Sequence, residues 1–391
     1  MNFNIETGGK TFEWGEEGQG VKSLYERLQT VADKRKRRGI RYPLAVILAM
    51  VIVAKLSGED EVRGIAEWLK HRAEAFASAL TLKRASTPHA TTISRVLAGA
   101  FEVDALEQVV ASYFKATVTE SEQLALDGKA LRGTIAAGQT RGQHLLALYA
   151  TQTGVVVGQM AVDEKANEIV VAPELLKTVN LEGRLISGDA MFAQQTLSKQ
   201  IVDAQADYVW IVKDNQPTLR ASIERLFTPE TPRKTHSPLP TDFQVASSLD
   251  KGHGRLEWRS FSTSSLLNAY ADSEGLGQVF KIERRVTHLK DGTVSSRTDY
   301  GITSLKADQA GAERLLQAVR DHWHIENGLH YPRDVSFHED ACQIRWPLAH
   351  RAMPILNNLA LGLLRQLHFD CVPSARRFLA ANFAIAFQLV C

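Results

Sequence analysis

Between Leu124 and Phe227 the chain alternates short apolar runs with amphipathic stretches, and their order restricts the possible folds more than any other feature. LALD at 124–127 reads as a strand, and HLLALYAT and VVVGQMAV flank Gln152-Thr153-Gly154 as a hairpin. NEIVVAPELLKTV then reads as a helix despite Pro173. RLISGD at 184–189 is a strand, QQTLSKQIVDAQ a helix, DYVWIV at 207–212 a strand and TLRASIERLF a helix. A trio of strands linked by a hairpin pairs antiparallel, whereas strands separated by helices cross over and pair in parallel. The result is a mixed sheet with helices on its faces.

The flanking regions have other periods. From Val21 to about Thr119 apolar residues recur at three- and four-residue steps, as in LYERLQTVAD and VRGIAEWLKHRAEAFASAL. STPHATTISRVLAG reads as a short helix with Ser86 and Thr87 as cap candidates and Pro88 in the first turn. It is either a packing helix or one that reads DNA. PETPRKTHSPLP reads as loop, and hairpins are expected to turn at Gly252-His253-Gly254 and Asp291-Gly292. Helical spacing returns from Asp308 to His330, with Pro332 marking the end, and continues to Cys391.

Charge and cysteine usage remove several classes. Three cysteines, Cys342, Cys371 and Cys391, without a CxxC pair argue against a disulfide framework and against a cysteine-rich zinc module. The acidic N-terminus lacks a leader's apolar stretch, and the run from Tyr42 to Ala54 is shorter than the roughly 20 residues that span a bilayer. A cytoplasmic protein with no membrane contact is expected. Net charge is only +2, but KRKRR at 34–38 with Arg41, and the segment carrying Arg345, Arg351, Arg365, Arg376 and Arg377 against Asp370, concentrate positive charge. Each is either a solvated surface or a phosphate-binding one.

The element order matches a ribonuclease-H-like, retroviral-integrase-like sheet, in which the strands ending at Asp127 and Asp189 lie side by side. Both acids follow apolar runs, and both adjoin glycine, Gly128 after the first and Gly188 before the second. Their carboxylates then converge beyond the carboxyl ends of the strands, where open sheets place chemistry. Looping out the β-rich segment brings Glu326 to the same edge. Clustered carboxylates repel unless a cation neutralises them, and hard oxygen ligands suit two Mg²⁺ or Mn²⁺ ions. Two such ions about 4 Å apart activate the attacking oxygen and stabilise the leaving one in displacement at phosphorus.

Helical spacing puts His322, Glu326 and His330 on one face, with Arg333 at the same edge if the helix persists. A zinc site from His322, Glu326 and His330 is the competing reading, and it leaves the two aspartates unused. His338 and Cys342, also four apart, are expected to be incidental, and Asp334 and Glu339 compete with Glu326 as third acid. For DNA contact the candidates are Lys129 and Arg132 after the first acid, Lys213 after a strand, Lys251, His253 and Arg255 on a glycine-rich hairpin, and His322 and Arg333. Trp258 and Trp323 are expected in the core, the alternative being stacking on an extruded base.

LALDGKALRGT, SGDAMFAQQ, DYVWIVKDNQPTL, RDHWHIENGLH and DVSFHEDACQIR resemble, in order, the motifs of bacterial insertion-sequence DDE transposases of the H-repeat-associated type. They extend over roughly 120–350, and RYPLAVIL, IAEW and TPHATTISRVL are similar to that family's N-terminal helical domain. The resemblance implies that Asp127, Asp189 and Glu326 are the metal-binding catalytic triad, and that the activity is metal-dependent DNA cleavage and strand transfer. Its partners would be double-stranded DNA, both transposon ends and target, bound by a homodimer. The wider superfamily's Tyr, Arg and Lys around the glutamate are replaced here by Val319, His322 and Arg333. The expected domains are 1–119, helical and DNA-binding; 120–228, the first part of the catalytic sheet; 229–304, a β-rich insertion; and 305–391, the remainder. A metal-dependent nuclease without strand transfer and a non-catalytic DNA-binding protein remain as alternatives.

Overall fold

A computed structural model describes residues 4–7, 10–13, 23–38, 40–135, 138–163, 167–228, 242–271, 273–341, 347–369 and 371–391. The expected loop at 229–240, Cys342, Arg345 and Asp370 lie outside the described residues.

The chain opens with a short hairpin, β1 (Asn4–Thr7) and β2 (Lys10–Glu13). Six helices follow: α1 (Leu24–Leu28), α2 (Leu44–Leu56), α3 (Val62–Lys70), α4 (Ala73–Ala79), α5 (Ala90–Gly99) and α6 (Val103–Phe114). Every residue of α2 is buried, so this apolar run is an interior helix; among the described residues no helix is long and apolar enough to cross a membrane. Helix α5 is capped by the His89 side chain, which accepts from the Thr91 amide. Ser86, expected as a cap, instead accepts from the Tyr42 hydroxyl.

The centre contains β3 (Leu124–Ala130), β4 (His144–Ala150), β5 (Val155–Val162), α7 (Glu168–Leu176), β6 (Leu185–Gly188), α8 (Gln195–Asp203), β7 (Asp207–Val212) and α9 (Pro217–Phe227). Then come β8 (Gln244–Gly252), β9 (Arg255–Ser264), β10 (Gln278–His288) and β11 (Val294–Thr303). The order of elements between Leu124 and Phe227 is that expected from the sequence. Strands β3 to β5 form the antiparallel trio, and β6 and β7 join by crossovers, parallel to β3 and to each other.

All nine strands from β3 onward form one sheet, in the order β5-β4-β3-β6-β7-β11-β10-β9-β8. The later hairpins therefore extend the same sheet, with β11 pairing antiparallel to β7 from Thr303↔Val209 to Tyr300↔Val212. The hairpin turn at His253-Gly254 has positive φ at both residues (49° and 72°), the twist-matched geometry for a two-residue connection.

Alternation along the central strands splits the core in two. Leu185 and Val209 face one side, where Phe261, Phe280 and Ile282 meet Leu315, Leu316 and Val319 of α10 (Ala312–His322). Ile186, Tyr208 and Trp210 face the other, which is continuous with the N-terminal helices. The same large core takes in α12 (Pro347–Gln366), α13 (Val372–Ala381) and α14 (Phe383–Gln388). Between α10 and α12 lie a π-helical turn, Glu326–His330, and α11 (Tyr331–Val335).

Candidate active site

Strands β3 and β6 are paired in parallel with Leu126 opposite Gly188. Asp127 is not at a strand end as expected, because β3 runs on to Ala130 against β4; it is one residue past the last pair with β6, level with Asp189, where strand spacing is about 4.8 Å. Gly188 has a local reason: a Cβ there would meet the Phe192 and Trp210 rings, both at 2.8 Å. Those rings pack with centroids 6.5 Å apart and fix the backbone from which Asp189 emerges.

The third acid arrives by a break in helical geometry. Helix α10 ends at His322, Trp323 is a turn, and Glu326–His330 adopts π geometry before α11 begins. Pro332 has no N–H to donate back to the Gly328 carbonyl, which instead accepts from Arg365 Nη2 at 3.1 Å. Gly328 also passes the Tyr149 hydroxyl so closely that a Cβ would lie 2.1 Å from it. Local π turns of this kind recur at functional sites. Here the turn gathers Asp127, Glu326 and His330, each of which offers a ligand atom within 4.8 Å of the others. His330 Nε2 is 3.2 Å from Asp127 Oδ2, and Asp127 Oδ1 accepts from the Gly128 amide at 2.9 Å.

The expected face of His322, Glu326 and His330 does not form, because the turn at Trp323 and the π turn destroy the steps of four. His322 is buried against Ser187 Oγ at 3.2 Å, and Ser187 also accepts from Gln123. Burial holds the His322 imidazole below its usual pKa, against the pull of the Asp127 and Asp189 carboxylates. It is therefore neither a member of the cluster at Glu326 nor an exposed cation for phosphate.

Asp189 is half-exposed, and its nearest cation is Lys213 at 3.6 Å. It lies outside the group formed by Asp127, Glu326 and His330. Arg333, expected at a DNA-facing edge, is 0% exposed and donates to Glu339 through Nε at 2.9 and 3.0 Å. Its guanidinium is spent inside the protein, which corrects that expectation. Glu339 is thereby removed as a third acid, and Asp334 is taken by Lys129 at 2.6 Å. That pairing leaves Lys129 only 8% exposed. Arg132, Lys251 and His253 are exposed, and Arg255 is partly so. His338 lies 3.3 Å from Asp60. Trp258 and Trp323, expected in the core, are 40% and 53% exposed.

A cavity of about 440 Å³ opens from Asp189 and Lys213 between α10 and the later strands. Its chemistry is basic. Buried Glu257 is surrounded by Arg255, Arg259 and Arg284, and Arg320 shares Asp250 with Arg259. Four guanidinium groups against two carboxylates leave positive charge facing the cleft. Arg259, Arg284, Arg297 and Arg320 were not among the sequence candidates. The available signal was the alternation of Arg255, Glu257 and Arg259 on one face of β9, which recruits charge from β10 and α10 only once the sheet is assembled.

Residues 119–363 match the family model of the transposase DDE domain, and residues 25–114 match that described as DDE_Tnp_1-associated. Among similar proteins is YncI of Escherichia coli O157:H7, whose name provisionally assigns it to the transposases. It is 30% identical over 368 residues, covering 90% of this chain and 88% of that protein. The H repeat-associated protein YhhI of Escherichia coli (strain K12), named with the same provisional assignment, is 27% identical over 353 residues, or 88% of this chain and 90% of that one. A piggyBac transposase in a synaptic complex with hairpin DNA superimposes at TM-score 0.46 and 10% identity over 93% of this chain and 80% of its own. That likeness is too loose to align residues.

Proposed function

We propose that this chain, which belongs to the family of DDE-domain transposases, cuts and rejoins DNA at the edge of its sheet where Asp127, Asp189 and Glu326 emerge. DNA transposition is the activity of the family, and DNA is the partner. The observation that carries the assignment of residues is that Asp127 and Asp189 each follow the last pair of the parallel strands β3 and β6, Leu126 opposite Gly188, with Glu326 returned to Asp127 by the π turn.

The donor set fits a divalent ion. Two carboxylates and an imidazole nitrogen converge within 4.8 Å, and the nearest cations of the neighbourhood, Lys129 and Lys213, are turned to Asp334 and Asp189. Asp127 and Glu326 would hold one ion, and Asp189 would complete the set on exchanging Lys213 for it. Two bound Mg²⁺ or Mn²⁺ ions would lower the pKa of an attacking water or 3′ hydroxyl and stabilise the leaving oxygen. The protein's own part is positioning: the Phe192 and Trp210 rings fix Asp189, the Arg333 and Glu339 pair fixes the segment after Glu326, and Ser187 holds His322 against the strands.

DNA would approach along the basic cleft. Arg255 and Arg284, with Lys251 and His253 at the hairpin tip, would grip phosphates and bring a strand towards Asp189. In this reading 120–228 and 305–391 form the catalytic body, 229–304 is an insertion that extends its sheet, and 1–119 adds DNA contact. Two element ends must be handled together, which favours a homodimer on DNA.

The test is incubation of the full chain with Mg²⁺ or Mn²⁺ and a supercoiled plasmid carrying the DNA on both sides of its gene, with any terminal inverted repeats it holds, beside Asp127→Ala, Asp189→Ala and Glu326→Ala. The reading expects cuts at the repeats and joined products for the wild type and neither for the variants. Binding of the repeats without metal-dependent cutting would overturn it.

A further inference from the structure

We infer that His330 is itself a ligand of the ion at this edge, making an Asp–Glu–His site that selects Mn²⁺ over Mg²⁺; this rests on the reading of Asp127 and Glu326 as ion-holding acids. His330 is 5% exposed, on the last residue of the π turn that carries Glu326. Its Nε2 faces Asp127 Oδ2 at 3.2 Å, and its ligand atom lies within 4.8 Å of both acids. Ligand bonds of roughly 2.0–2.6 Å put the ligand atoms of one ion about 3–5 Å apart, so these spacings fit atoms that share one ion.

Hydrogen bonding to Asp127 alone explains less. An imidazole that only donated to Asp127 would have no need of a second carboxylate in the same small volume. The buried Nδ1 of His330 has no hydrogen-bond partner, so nothing on that side of the ring ties it to another role. Nε2 is the ring nitrogen turned to the acids, so it is the atom that would bind the ion. Asp189 is directed to Lys213, so in this geometry the third protein ligand beside Asp127 and Glu326 is His330.

The choice of ion follows from the nitrogen. Mg²⁺ favours oxygen ligands in strict octahedral geometry and gives up its water reluctantly. Imidazole suits the later first-row metals, and Mn²⁺ is the member of that series that still suits carboxylates. A site of two carboxylates and one imidazole should therefore discriminate against Mg²⁺ more than three carboxylates would.

Binding of Mn²⁺ alone to the full chain, without DNA, tests this by two readouts. Electron paramagnetic resonance of free Mn²⁺ gives the affinity, and electron spin-echo envelope modulation detects a nitrogen bonded directly to the ion. The expected result is nitrogen modulation in the wild type, lost in His330→Gln, with the Mn²⁺ Kd raised tenfold or more. The Mg²⁺ Kd, measured by competition, should change by less than about threefold. A spectrum without nitrogen modulation, with Mn²⁺ binding still lost in Asp127→Ala, would overturn the ligand role of His330 and leave the acids as the ion site. Nitrogen modulation that survives in His330→Gln would overturn it too. Equal Mn²⁺ binding by wild type and Asp127→Ala would overturn both this inference and the ion-holding reading beneath it.

Discussion

From Glu326 to Glu339 the chain carries two charged regions of opposite design. At the sheet edge Glu326 is exposed and Asp127 half-buried, and the His330 imidazole stands with them. A few residues on, Arg333 is sealed in the interior with its guanidinium on Glu339, whose other donor is Asn357 at 2.7 Å. Gln159 joins Arg333 at 3.5 Å to Asn358 at 2.9 Å. One region leaves its charges short of partners and the other gives nearly every charge one. Converging carboxylates without a fixed countercharge do little for the apo fold, and in the proposed reading they receive an ion. A saturated buried pair holds backbone in place, and breaking it leaves a charge with no water.

The largest effect that tests this division is on activity. Asp127→Ala and Glu326→Ala should each lower cleavage and joining at least a thousandfold, about 4 kcal/mol in barrier, without lowering the melting temperature. Gel assays beside thermal melts would check both halves. A variant that melted early would mean that these acids support the fold.

Next in size is the buried pair. Arg333→Ala should cost about 3–5 kcal/mol of stability, because Glu339 is left buried without its countercharge. Urea unfolding measures it. Normal stability with weakened DNA binding would return Arg333 to the phosphate-contact role that its position near Glu326 first implied.

Acidity divides the buried network itself. Burial pushes Glu107, beside Gln159, from 4.5 up to about 8. The folded state then holds a proton that the unfolded state has released, so this contribution is complete below about pH 4.5 and is lost as pH rises towards 8. Glu339 runs the other way: burial alone would raise it, but the Arg333 charge and hydrogen bonds hold it below its usual value. Its contribution is present above that usual value and is lost as pH falls through the lowered one. Glu107→Gln should flatten the loss of stability between pH 5 and 8 in denaturant titrations and leave the acid limb unchanged. An unchanged slope between pH 5 and 8 would show that Glu107 is ionised in the fold.

The smallest effects belong to the cleft. Lys251→Ala or Arg255→Ala should each cost about 1 kcal/mol in DNA affinity and lower the salt dependence of binding by about one unit of slope. Fluorescence anisotropy at several salt concentrations would read this, and a variant with unaltered slope would place that residue off the DNA path.

Local and nonlocal physics separate what the sequence disclosed from what it hid. The strands before Asp127 and Asp189 were legible because apolar runs end at polar residues, and their neighbourhood followed from the order of strands and helices. The turn at His253-Gly254 was legible from its glycine. The π turn was not: four-residue spacing reads as one α-helical face, and although Pro332 marks the end of that helix, nothing local announces the earlier break at Trp323. Hence the sequence groups His322 and His330 with Glu326 on one face, as a cationic face beside an acid or as a zinc site. The fate of Arg333 was hidden because Gln159 and Asn358 come from distant parts of the chain. The pairing of β11 with β7 was hidden for the same reason, since the hairpins at 244–303 read the same whether they stand apart or extend the sheet.

The central claim is that Asp127, Asp189 and Glu326 share one ion-holding edge. Its most direct test is to load the full chain with Fe²⁺, start hydroxyl-radical chemistry with ascorbate and peroxide, and map the backbone cuts by mass spectrometry. The account predicts cuts clustered near residues 127, 189 and 326, suppressed by excess Mn²⁺ and absent in Asp127→Ala. Cuts at Asp127 and Glu326 that never reach Asp189, or cuts unchanged in Asp127→Ala, would contradict it.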